Sequence, residues 1–230
     1  MHRKFLTAAI AAAVFLSVQA RAADVGSPAK APAATVPPCT VGTASTPLSC
    51  SGFYVGAGLA GEGSNADIIG NGINGSVFAG GMTPFVDGGY QYAQGNWMFG
   101  AELDLGYTMG SKAAVGGTGL SANGFKMTEF FKVGGNLAGL LGSQTPATVP
   151  PLLASAVLAP YAGIGATQWW LLASSPAIGT VSGAGFEFDI GPRMFGDLRY
   201  TYTNYGGATA HGLAIQNDQS LMVTINYKLN

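Results

Sequence analysis

The stretch Leu221-Met222-Val223-Thr224-Ile225-Asn226-Tyr227-Lys228-Leu229 decides how the 230-residue chain is read. Leu221, Val223, Ile225, Tyr227 and Leu229 make one apolar row, while Thr224, Asn226 and Lys228 make a polar one. A period of two belongs to a β-strand, whose side chains alternate between its faces. Phe99-Gly100-Ala101-Glu102-Leu103-Asp104-Leu105-Gly106-Tyr107 repeats it, with Phe99, Ala101, Leu103, Leu105 and Tyr107 opposite Glu102 and Asp104. Two carboxylates therefore share a face with glycines. Extended outward, the same alternation, broken by Gly, Asn, Ser and Pro clusters, predicts strands at about 52–60, 77–92, 97–107, 125–136, 158–170, 179–190, 194–204 and 219–229. Pro84 demands a bulge or a break in the second of these. Beyond Ser51 no apolar run is long enough for a membrane-spanning helix.

Composition says which solvent these strands face. Only 9% of the residues are charged, 48% are hydrophobic, 36 are Gly, and the mean hydropathy is +0.30. Soluble domains carry about 25% charged residues and about 7% Gly, so this chain is too apolar for an ordinary water-facing surface. Intrinsic disorder needs the opposite, low hydrophobicity with high net charge. Strands can cross a bilayer only by closing on themselves, since every backbone N–H and C=O must be paired away from water. The expectation is all-β: an eight-stranded antiparallel transmembrane β-barrel, apolar row outward. The 34 glycines beyond residue 50 would make room in its narrow lumen for large polar side chains.

Two segments precede the predicted barrel at 51–230. Residues 1–22 combine a basic start (His2, Arg3, Lys4), an apolar stretch from Phe5 to Val18 and the small-x-small ending Ala20-Arg21-Ala22, the pattern of a cleaved signal peptide. Its removal would leave 7 basic against 11 acidic residues, which speaks against a nucleic-acid-binding face. Residues 23–50, rich in Ala, Pro, Thr and Ser, read as a periplasmic tether. The only cysteines, Cys39 and Cys50, lie there. A disulfide between them is the preferred reading for an exported chain, with two free thiols or a lipid-modified Cys39 as alternatives.

Sorting side chains by face gives the candidate functional residues. The inward charges are Glu102, Asp104, Glu187, Asp189 and Asp197 against Lys126, Lys132, Arg199 and Lys228, a set that suggests mutual neutralisation and a plugged lumen. Glu129 should face outward near the upper rim. Tyr54, Tyr90, Tyr92, Trp97, Tyr161 and Tyr227 are expected at one membrane interface, and Tyr107, Trp169, Trp170, Tyr202 and Tyr205 at the other, with Tyr200 deeper. Segments 61–76, 108–124 and 205–218 should be long cell-surface loops, with a shorter one at 171–178.

The signal sequence, the tether and then Ser51-Gly52-Phe53-Tyr54-Val55-Gly56-Ala57-Gly58 resemble the opening of the small outer-membrane β-barrel proteins of alphaproteobacteria, the opacity-like, porin-like surface antigens. Gly88-Gly89-Tyr90-Gln91-Tyr92, Gly100-Ala101-Glu102-Leu103-Asp104, Pro160-Tyr161-Ala162-Gly163, Gly183-Ala184-Gly185-Phe186-Glu187 and Leu198-Arg199-Tyr200-Thr201-Tyr202 follow later blocks of that pattern in order. The chain departs from it by ending Tyr227-Lys228-Leu229-Asn230 in place of a terminal aromatic, and by a long apolar connection from Leu140 to Val157. The resemblance implies an outer-membrane location in a Gram-negative cell. It further implies membrane lipid, lipopolysaccharide and the barrel-assembly machinery as partners.

Catalysis has little to stand on. After loss of the leader only His211 remains among the histidines, beside Gly212 and away from any Ser and acid. It reads as a loop histidine, or as a haem or metal contact, since some members of the resembled family are associated with haem binding. No cofactor or metal site is otherwise expected. The expected function is a non-enzymatic surface protein that supports the envelope and makes contacts through its loops, with a narrow solute pore or a haem-uptake component as the alternative.

Overall fold

The computed structural model describes residues 48, 50–68, 76–109, 112–115, 118–121, 123–137, 158–171, 176–191, 193–210 and 213–229. The signal segment 1–22, Cys39, His211 and the 140–157 connection lie outside the described residues. Cys50 is half of a disulfide.

Among the described residues ten strands are formed: β1 (Gly52–Ile68), β2 (Ser76–Gln94), β3 (Trp97–Thr108), β4 (Lys112–Val115), β5 (Thr118–Ser121), β6 (Gly124–Gly135), β7 (Leu158–Leu171), β8 (Ala177–Gly191), β9 (Met194–Ala210) and β10 (Leu213–Lys228). Eight of them close into a barrel in the order β1-β10-β9-β8-β7-β6-β3-β2, while β4 and β5 form a separate hairpin. All neighbours in the barrel are antiparallel, including the closing pair β1 and β10, which runs from Tyr54↔Lys228 to Ile68↔Leu213. The expected eight barrel strands are all present.

β1, β9 and β10 extend furthest beyond the alternation, by five to eight residues each, and together with β2 they are the longest strands. β1, β2, β9 and β10 run 17, 19, 17 and 16 residues, against 12 for β3 and β6. The segments 61–76 and 205–218 are therefore mostly strand, and 108–124 contains the β4–β5 hairpin. One wall of the barrel rises above the other. Pro84 lies inside β2 without a bulge: its pairing with β1 is continuous, Leu59↔Pro84 included. The disturbance is confined to the other edge, where the β2–β3 ladder stops at Phe85↔Gly106 and resumes only as the isolated bridge Met82↔Met109. A proline has no N–H to give that edge.

The barrel is apolar outside and polar inside. Phe53, Val55, Leu59, Phe99, Leu103, Ile164, Leu221, Val223 and Ile225 are exposed on the outer surface. Thr224, Asn226 and Lys228, the polar row of the deciding stretch, are buried within. A closed antiparallel barrel with this inversion is the architecture of an outer-membrane protein: its backbone is satisfied internally and its outer face matches lipid. Tyr200, on the outer face, donates its hydroxyl to Gln219 Oε1 at 3.0 Å, toward the upper edge of the apolar band.

Candidate functional site: the charged lumen

The inward rows bring the predicted charges together. Lys132 of β6 reaches Glu102 Oε2 at 2.8 Å and Glu187 Oε1 at 2.7 Å, and Arg199 of β9 reaches Glu102 Oε1 at 2.7 Å and Asp104 Oδ2 at 2.8 Å. Tyr54 donates to Glu102 Oε2 at 2.6 Å, and Tyr161 donates to Asp197 Oδ1 at 2.7 Å. Gln91 bonds Glu187 at 2.9 Å and is in turn held by Lys228, which also donates to the Cys50 carbonyl at 3.1 Å. Buried charges survive only when paired and hydrogen-bonded, and this cluster satisfies much of that need by spreading each cation over two acceptors.

A second cluster sits nearer the tall rim. Lys126 bridges Glu62 at 2.8 Å and Asp218 at 2.5 Å, Ser64 donates to Asp218 at 3.0 Å, and Thr108 donates to Glu62 at 3.1 Å. Trp169 and Tyr205 lie beside it, with Lys126 Nζ 5.9 Å from the Trp169 ring centroid. Between the clusters the lumen is crossed by Phe85 and Phe130, both buried, with Arg199 stacked 4.9 Å from the Phe130 ring. A cavity of about 30 Å³ remains there, lined in part by Glu62, Asp104, Lys126 and Arg199. That volume holds a water molecule or two.

The nine charges assigned to the lumen from the alternation all face it, Asp189 near its lower end. Three further acids join them: Asp87, Glu62 and Asp218. Neutralisation, expected from five acids and four bases, is thus incomplete, because eight acids face four bases among the described residues. Glu62 and Asp218 lie just beyond the segments that the alternation marks as strands, although they keep the inward parity of Ala60 and Ser220. Asp87 shares the row of Phe85 and Gln91, obscured by the glycines around it.

The aromatic belts need a larger correction. Tyr90, Tyr92, Trp97, Tyr107, Tyr202 and Tyr227 are exposed on the outer face as expected, and Trp170 stands on the outward row. Tyr54, Tyr161, Trp169 and Tyr205 instead point inward and are 5% exposed or less. The hydroxyls of Tyr54 and Tyr161 have acids to bond, which an interface position would not supply. Glu129 faces outward, but halfway along β6, between Leu103 and Ala166, and not near a rim.

No protein-family model matches the chain, and no curated protein is similar to it. Among solved structures it is similar to Neisserial surface protein A, with 18% identity, 78% of this chain and 98% of that chain covered, and a TM-score of 0.45. It is also similar to outer membrane protein W of E. coli, at 15% identity over 78% of this chain and 98% of that one, TM-score 0.41. The outer membrane protein OprG of Pseudomonas aeruginosa follows at 11% identity, 81% and 100% coverage and a TM-score of 0.39.

Proposed function

We propose that this outer-membrane barrel is a plugged, non-enzymatic surface protein of the opacity-like kind, anchored by its strands and making its contacts through the hairpins that rise above the membrane. The observation that carries this reading is the lumen itself. Lys132, Glu102, Arg199 and Asp104 form a continuous ion-paired layer across the barrel, and the void above it is only about 30 Å³. A pathway for solutes would need a wider bore, and an ion-selective one would show a ring of a single sign without paired cations. The long strands β1, β2, β9 and β10 favour contact at the surface, since their ends rise past the shorter wall. Membrane lipid and lipopolysaccharide are its surroundings in this reading, and the assembly machinery its partner during insertion.

Single-channel recording in planar bilayers tests the proposal. The folded protein should give no steady unit current. A reproducible conductance step that Lys132→Met or Arg199→Met alters would replace the plugged barrel with a narrow pore.

A further inference from the structure

The surplus of acid in the lumen converges on one place. Asn226 of β10, Gly56 of β1, Asp87 of β2 and Asp104 of β3 stand side by side across four strands, paired as Gly56↔Asn226, Gly56↔Asp87 and Asp87↔Asp104. Gly56 contributes no side chain, and its neighbours lean into the space. A Cβ built there would lie 2.0 Å from Asn226 Oδ1 and 2.6 Å from Asp87 Oδ1. Neither of these oxygens has a hydrogen-bond partner among the described residues, and the same holds for Asp87 Oδ2 and Asp104 Oδ1. The three residues are deeply buried: Asp87 and Asp104 are each 5% exposed and Asn226 is 1%.

Four acceptor oxygens without a donor thus occupy one region of the lumen wall. Carboxylate oxygens of Asp87, Glu102 and Asp104 lie within 4.8 Å of one another. Glu102 is already taken up by Arg199, Lys132 and Tyr54, and Arg199 holds only the Oδ2 oxygen of Asp104. Asn226 uses its amide N–H on Thr224 Oγ1 at 3.2 Å, which leaves its carbonyl toward Gly56. Buried acceptors in such number need a donor or a positive partner, and the nearby Arg199, whose Nε and Nη1 also lack a hydrogen bond, holds only one oxygen of Asp104.

We propose that Asp87, Asp104 and Asn226 bind a hard divalent cation, Ca²⁺ in preference to Mg²⁺, between their converging oxygens beside Gly56. All the donors are oxygens, from two carboxylates and one amide, which suits a hard ion and offers nothing to a soft one. Ca²⁺ accepts an irregular set of protein oxygens, whereas Mg²⁺ keeps several waters in strict octahedral order. One divalent ion would cancel half of the excess of eight acids over four bases. It would also tie β10 to β1, β2 and β3, across the seam where the barrel closes.

The test uses the full chain folded in detergent, stripped with chelator and then titrated with CaCl₂. The readouts are the temperature at which heat-modifiable mobility is lost and the luminescence of Tb³⁺ sensitised by nearby Tyr54. Ca²⁺ should raise the wild-type transition by several degrees and displace Tb³⁺ in a saturable way. Asp87→Asn should abolish both responses while still migrating as a folded barrel, and Gly56→Ala, whose methyl enters the space, should weaken them. Asn226→Asp should move the response to lower Ca²⁺. An identical shift in wild type and Asp87→Asn would put the ion elsewhere, on lipid or at a rim, and overturn the proposal. So would an Asp87→Asn barrel stabilised without Ca²⁺ beside a wild type that does not respond, because a proton would then be the partner. If Asp87→Asn does not fold, the wild-type Tb³⁺ titration decides, and absence of saturable luminescence competed by Ca²⁺ refutes the site.

Discussion

Lys132 of β6 and Glu102 of β3 meet inside the barrel with Nζ 2.8 Å from Oε2, and both side chains are 1% exposed or less. Glu102 is also held by Arg199 and Tyr54, so the lysine is one member of a shared layer. Removing one partner of a buried pair leaves the other charge uncompensated, at a cost of roughly 3–5 kcal/mol. Lys132→Met is expected to lower unfolding free energy by about that amount in urea titrations of the lipid-embedded barrel. A double change with Glu102→Gln should cost less than the sum of the two single changes, because the pair is lost together.

Tyr54 and Tyr90 lie on the same rim of the sequence pattern but on opposite faces. Tyr54 donates to Glu102 at 2.6 Å, whereas Tyr90 is 40% exposed and stacks edge-on with Phe53 at 4.9 Å. Tyr54→Phe leaves a buried carboxylate oxygen with one donor fewer and should destabilise by about 1–3 kcal/mol. Tyr90→Phe should change chemical stability little. Equal effects in the two variants would mean that Tyr54 is not in the lumen.

Gly88 and Gly89 are neighbours in β2 with different surroundings. A Cβ on Gly89 would meet the Ala101 carbonyl oxygen at 2.5 Å and the Tyr54 hydroxyl at 2.6 Å, while one on Gly88 would find its nearest atom at 3.6 Å. Gly89→Ala is expected to cost about 1–3 kcal/mol through overpacking, and Gly88→Ala to be tolerated. Comparing the unfolding midpoints of the two variants checks the register of β2 directly.

Glu129 is a carboxylate on the outer face midway along β6, paired laterally with Leu103 and Ala166. Ionisable residues facing lipid near the midplane are unfavourable, acids less so than bases. Glu129→Leu should therefore stabilise the barrel in liposomes, by up to about 2 kcal/mol. A destabilised variant would show that Glu129 faces a polar partner in place of lipid.

Much of the fold was legible because one variable, parity along a strand, carries both face and solvent. Leu221, Val223 and Ile225 face out and Thr224, Asn226 and Lys228 face in, as the alternation dictates. Strand ends were less legible. β1 and β10 continue through Glu62-Gly63-Ser64 and Asp218-Gln219-Ser220, where polar residues occupy both faces once the strand leaves the hydrocarbon, so the alternation of hydrophobicity fades while the pairing does not. The belts misled for a related reason. An aromatic ring suits the membrane interface, but Tyr54 and Tyr161 sit on the inward parity, and a narrow lumen rich in carboxylates gives their hydroxyls acceptors. Parity outranks residue type when the two disagree. Part of the surplus of lumen acid lies with Glu62 and Asp218, where counting charges depends on where strands stop, and part with Asp87, mid-strand among glycines.

The pairing of β1 with β10 joins segments separated by most of the barrel's sequence, from Tyr54↔Lys228 to Ile68↔Leu213. Such distant partners cannot meet early: loop closure must be achieved before the contact rewards it, so a topology of this kind assembles late and slowly. Until β10 arrives, β1 and β9 each present a bare edge able to capture a strand from another molecule. Completion is therefore a single terminal event that converts an adhesive intermediate into an inert cylinder. The hazard of mispairing therefore lasts as long as closure takes, and it ends all at once.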